Sequence, residues 1–160
     1  MSLATSATAQ TSASFQVSAT IVPGCEINGS PPTAGQGIGQ AGVLDFGSHS
    51  ALETGQISVS LAQNGGLTFR CTPTVALTMA LGGGLHAGSS RNVQGPGGAR
   101  LAYNLFRDAG FTQQLAVDQP VPISFSGPGA IALPIYGRLN LGTANRPGTY
   151  TDTVVVTLAW

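Results

Sequence analysis

The chain has 160 residues, 23 of them Gly and 10 Pro, and six Arg balance six Asp and Glu. That length fits one domain with a real core. Lysine is absent and only 8% of residues are charged, which excludes a basic patch for nucleic acid and an acidic tail. No run reaches the ~18 apolar residues of a membrane span, so no membrane insertion is expected.

So little charge suits a concentrated free monomer poorly, because net charge keeps proteins apart. It suits a subunit covered by other subunits. Abundant Gly, Thr, Ser and Val with few helix-favouring charged residues points to short strands joined by turns. Met1-Ser2-Leu3 shows no leader character and reads as an expression-derived start, with a natural leader removed.

Residues 1–14 form an N-terminal extension, and 15–160 a single β-sandwich domain. From Thr5 to Ile21 the odd positions are Thr, Ala, Phe, Val or Ile, and the even positions are all Ser, Thr or Gln. Such a ribbon would extend ~55 Å at ~3.3 Å per residue, against ~17–20 Å for an ordinary strand. One small sandwich cannot pair all of it, so the ribbon bends between sheets or projects. Its strong part is Phe15, Val17, Ala19 and Ile21.

Pro23-Gly24 breaks the pattern, and 28–42 reads as loop. Strands are expected at 43–47, 55–63, 67–72 and 75–81, with a turn at Asn64-Gly65-Gly66. The glycine-rich 82–99 reads as a long loop. Strands are then expected at 101–108, at 111–117 as a hairpin return, at 122–127, and at 130–141 with irregularities at Pro134 and Gly137. Asn145 to Gly148 reads as a turn, and 149–160 as the last strand. On it Tyr150, Val154, Val156, Leu158 and Trp160 share one face, opposite Thr149, Thr151, Thr153 and Thr157. No segment has a helical period, so the fold class is an antiparallel all-β sandwich.

Cys25 and Cys71 stand alone, outside any CxxC or Cys/His cluster. They read as one structural disulfide in an oxidising compartment, with two buried thiols as the alternative. His49 and His86 lie in loops without metal-ligand spacing. Asp45, Glu53, Asp108, Asp118 and Asp152 are dispersed, with no acid/base pair. GQGIGQ at 35–40 lacks nucleotide-loop spacing, GGG at 82–84 reads as a flexible loop, and Asn28-Gly29-Ser30 as a chance sequon. The chain is therefore read as non-enzymatic, with no catalytic, metal or cofactor site.

The last strand, TDTVVVTLAW, is a long apolar edge with no Lys, Pro or Gly to protect it. The projecting ribbon of one copy could complete the sandwich of the next by strand addition, head to tail, and so build a fibre. The alternative is a self-contained binding module whose ribbon folds back on itself and whose loops 28–42 and 82–99 take a ligand such as a surface glycan.

FQVSATIVPGCEI, VLDFGS, LTFRCTPTVALTMALGGG, RLAYNLFRD, YGRL and GTYTDTVVVTLAW resemble the spore coat protein U domain family, which includes pilins of archaic chaperone–usher pili. Gly148, Tyr150 and Asp152 before a terminal aromatic strand are the most specific element, and the cysteine positions fit. The resemblance implies an incomplete immunoglobulin-like sandwich that lacks its last strand. A periplasmic chaperone lends that strand, and another subunit's N-terminal segment replaces it at an outer-membrane usher. It places the donor strand at 15–22, with Phe15, Val17, Ala19 and Ile21 inserted, and lines the acceptor groove with Tyr150, Val154, Val156 and Leu158. It also implies passage through the periplasm to a surface fibre for adhesion or biofilm formation. Many members follow their Tyr-x-Leu-x-x-Asp strand with Trp-Gly, whereas here Asp108 precedes AGFTQQL, which leaves the packing of that loop open.

Overall fold

A computed structural model describes residues 12–63, 67–127, 129–143 and 145–160. The turn expected at Asn64-Gly65-Gly66, residues 1–11 of the N-terminal extension and the start-derived reading of residues 1–3 lie outside the described residues. In chain order the strands are β1 (Cys25–Ile27), β2 (Gly42–Val43), β3 (Gly55–Ser60), β4 (Ala62–Gln63), β5 (Phe69–Cys71), β6 (Thr78–Leu81), β7 (Arg91–Gln94), β8 (Arg100–Phe106), β9 (Val121–Pro122), β10 (Tyr136–Leu141) and β11 (Val156–Ala159). One 3-10 turn at Pro96–Gly98 separates β7 from β8.

The strands pair as an immunoglobulin-like antiparallel sandwich. One sheet has the order β3-β10-β8-β7 and a second the order β11-β6-β9, with the ribbons β1-β5 and β2-β4 beside them. Alternation explains which residues face inward. On β8, Tyr103 and Leu105 are buried while Asn104 between them is not, and on β10 Leu139 is buried between Arg138 and Asn140. Phe69, Leu77, Met79, Leu81, Val93, Leu115 and Ile123 fill the same core from other elements.

Several expected strands shorten for local reasons. Ile131, Leu133 and Ile135 keep strand-like alternate burial, but Pro134 removes a ladder donor. The Gln63 side chain replaces part of the ladder, donating to the Ile131 carbonyl at 3.3 Å and accepting from the Leu133 N–H at 3.0 Å. The return at 111–117 contributes only isolated bridges, Phe106 with Gln114 and Leu81 with Val117. Conversely, β7 lies inside the glycine-rich 82–99, which the sequence presented as loop throughout. In the loop after Asp108, Phe111 packs edge-on to Phe106 and Tyr136, with the Arg138 guanidinium 4.3 Å from its ring centre.

The cysteines form one disulfide, Cys25–Cys71, across directly paired residues of β1 and β5. It closes a 46-residue separation, and both cysteines are buried in the core.

Candidate functional site

The candidate site lies at the two ends of the chain. Residues 12–24 form no strand, and every residue from 12 to 23 is exposed. Phe15 is 86% exposed and Ile21 95%, with Val17, Ala19 and Val22 similarly open. Burying each large side chain is worth about 1.5–3 kcal/mol. A run of them held in water is an exposed apolar surface of the kind that marks interaction sites.

The last strand has the reciprocal deficit. β11 pairs with β6 through Val156–Leu81, Thr157–Ala80, Leu158–Met79 and Ala159–Thr78. Among the described residues no strand pairs with its other edge. The expected alternation holds: Val154, Val156 and Leu158 face the core and Thr153, Val155 and Thr157 face out. Yet these three inward residues are only half-buried, while Met79 and Leu81 on the paired strand are 0% and 2% exposed. Trp160 ends the strand edge-on to Phe69, at 6.1 Å, and stays 48% exposed. The apolar strip that Val154, Val156 and Leu158 form on β11 is therefore incompletely covered.

Tyr150 has the same parity as Val154, Val156 and Leu158 but serves as an anchor. Its hydroxyl donates to the Arg146 carbonyl at 2.9 Å. Its ring lies on Gly95, where a Cβ would sit 2.6 Å from it. Asp152 accepts the Tyr103 hydroxyl at 2.6 Å and the His86 N–H at 3.2 Å. It fills the space where Gly84 would carry a side chain, at φ +89°. Gly148, at φ +143°, meets the Pro96 ring in the same way. Gly148, Tyr150 and Asp152 thus dock the start of the last strand onto the 82–99 segment, which explains its Gly84 and Gly95. Burial, reinforced by the bond to Asp152, pushes the Tyr103 phenol well above its ordinary range.

Beneath this joint lies Arg91, 4% exposed. Its guanidinium donates to the carbonyls of Gly82 (2.9 Å), Leu115 (2.7 Å), Leu81 (2.9 Å) and Ala116 (3.3 Å). Desolvation lowers its pKa, partly offset by Tyr103, Asp118 and Asp152. The only sequence signal for Arg91 was its place two residues before the inward Val93.

The remaining polar candidates take part in local structure, His86 and Asp118 through their backbone. His49 contacts the Phe46 carbonyl at 2.6 Å and Glu53 at 3.0 Å, and both raise its pKa. His86 gives its carbonyl to Asn92. Asp45 accepts the Gly47 N–H, and the Asp118 N–H donates to Leu81. Desolvation acts upward on Asp108, but the Gln113 and Thr112 N–H groups and the Thr112 hydroxyl outweigh it and lower its pKa. Asn28 accepts the Thr68 N–H through its side chain. Among the described residues no three His, Cys, Asp or Glu are grouped to hold a metal ion, and no helix is long and apolar enough to cross a membrane.

The family model described as Spore Coat Protein U domain matches residues 11–157. No curated protein sequence matches the chain. Among solved structures, the chain is similar to the crystal structure of the CsuC–CsuE chaperone–tip adhesion subunit pre-assembly complex from archaic chaperone–usher Csu pili of Acinetobacter baumannii. The match has a TM-score of 0.54 at 21% identity and covers 88% of this chain and 40% of the other. At that identity the likeness shows a shared fold, and this chain spans well under half the matched chain's length.

Proposed function

The chain belongs to the Spore Coat Protein U domain family, and from that premise we propose that it is a secreted, non-catalytic subunit of a chaperone–usher-type surface pilus. Copies polymerise head to tail by donor-strand exchange. Residues 15–22 of one copy insert beside β11 of the next, placing Phe15, Val17, Ala19 and Ile21 over Val154, Val156 and Leu158. Tyr150 closes one end of that strip. The observation that carries the reading is the paired deficit: exposed apolar residues at one terminus and an unpaired, half-covered apolar strand at the other.

A periplasmic chaperone lends a strand to β11 until exchange, and an outer-membrane usher is where exchange occurs. The completed fibre lies on the cell surface and serves adhesion or biofilm formation. The alternative of a self-contained glycan-binding module requires the ribbon to fold back on its own sandwich, and the exposure of residues 12–23 does not favour it.

The test is Phe15→Asp with Val17→Asp in the full chain. Self-assembly into ladders that survive mild detergent should be lost, with the circular dichroism spectrum unchanged. Ladders at the wild-type level would contradict the proposal.

A further inference from the structure

The exposed ribbon ends at a single fixed point. The Gly24 N–H donates to the Thr72 hydroxyl oxygen at 2.8 Å, the Thr72 hydroxyl donates to the Gly24 carbonyl at 3.1 Å, and the Thr72 N–H donates to the same carbonyl at 3.0 Å. The last of these extends the β1-β5 ladder by one pair beyond Cys25–Cys71. The two hydroxyl bonds are additional. They use Thr72 both as donor and as acceptor, and close a ring on the N–H and carbonyl of one glycine residue across 48 residues of sequence.

The position of that ring matters. The disulfide fixes Cys25 immediately after it, and Pro23 immediately before it has a restricted φ. Only Val22 and Pro23 separate the ring from Ile21, the last side chain proposed to lie over the strip on β11. Four residues of chain reach at most about 14 Å, so Ile21 must enter the next copy's groove within that distance of Cys25. With so short a tether, the orientation of the Gly24 peptide sets the direction in which the donor leaves its own subunit.

We infer that Thr72 is a positioning residue for strand donation: its hydroxyl ring on Gly24 aims residues 15–22 away from the sandwich. The inference rests on the strand-exchange reading above and deepens it. The role belongs to donation alone, since Thr72 lies on β5's extension and not on β11. The ordering cost of the donor root is met when the monomer folds, not when two copies meet.

The test separates donation from acceptance, using full-length wild type, Thr72→Val and Thr72→Ser. Valine keeps the shape and the backbone bond and removes both hydroxyl bonds, whereas serine retains the hydroxyl. Acceptance is read as uptake of a fluorescent synthetic peptide of residues 12–22, and donation as the rate of self-assembly. Thr72→Val should take up peptide like wild type but assemble about five- to thirtyfold more slowly, the effect of one to two net hydrogen bonds. Thr72→Ser should assemble at the wild-type rate. Thr72→Val assembling at the wild-type rate would overturn the inference and leave strand exchange standing. A parallel loss of peptide uptake would overturn it too, because the hydroxyl would then act through the fold. If wild type neither takes up peptide nor assembles, strand exchange fails and the inference falls with it.

Discussion

Replacing Arg91 with Leu should destabilise the full chain by about 3–5 kcal/mol, through the buried carbonyls it leaves without a donor. The figure follows from what the guanidinium holds. It donates to four carbonyls, those of Leu81, Gly82, Leu115 and Ala116. Leu81 keeps a second donor in the Asp118 N–H, so of the four carbonyls that lose the bond three are left without a donor. Each orphaned buried acceptor costs about 1–3 kcal/mol, and the Gly82 and Ala116 bonds, being only partly buried, recover some of this from water. Removing the buried cation returns part of its desolvation cost, which keeps the total below the plain sum. In urea, with a slope of about 2 kcal/mol/M for a small protein, the midpoint should fall by about 1.5–2.5 M. Arg91→Lys should fall between wild type and Arg91→Leu, because an ammonium cannot fork to four acceptors. A midpoint for Arg91→Leu within 0.5 M of wild type, at equal slope, would refute this account of the joint under the last strand.

Other consequences are open to measurement. Reducing Cys25–Cys71, or replacing both with Ser, should remove about 4 kcal/mol given the 46-residue separation, read calorimetrically as a fall in Tm of about 8–16 °C; a fall under 3 °C would contradict it. Gly84→Ala should cost about 3 kcal/mol because its Cβ collides with the Asp152 carboxylate, whereas Gly29→Ala, also at positive φ but with open space around it, should cost about 1 kcal/mol. Equal costs for the two would argue against the close approach. His49 should titrate by NMR above its ordinary 6.5, and Glu53→Gln should bring it down. The raised value means that the His49 contacts stabilise the fold fully below the unfolded pKa and that this contribution is lost as pH rises through the folded pKa. A His49 pKa at or below 6.5 would contradict the assigned contacts.

Much of this fold was legible because its strands alternate cleanly. The Ile57/Val59 and Tyr103/Leu105 patterns gave β3 and β8, and the parity from Val154 to Leu158 gave the inward face of the last strand. The two lone cysteines gave the disulfide. What stayed hidden followed from exceptions to alternation. β7 reads Arg-Asn-Val-Gln, and its inward Arg91 looks like a surface residue until four carbonyls are seen around it. The glycines of 82–99 looked like flexibility, but Gly84 and Gly95 are where Asp152 and Tyr150 approach the backbone. Phe111 packs against Phe106 and Tyr136 from a residue at φ +54°, which no strand pattern signals. The unpaired edge of β11 was inferable from the unprotected ending, whereas the Thr72 ring on Gly24 depends on register between distant strands and left no trace in the sequence.

The central claim is that residues 15–22 of one copy lie beside β11 of another. The most direct measurement places a photoreactive phenylalanine analogue at Phe15 and maps its crosslinks by mass spectrometry, using mixed isotope-labelled and unlabelled chains. The account predicts crosslinks between chains of different label, concentrated at residues 154–158. Crosslinks confined to single chains, or spread over the outer face of the β3-β10-β8-β7 sheet, would contradict it.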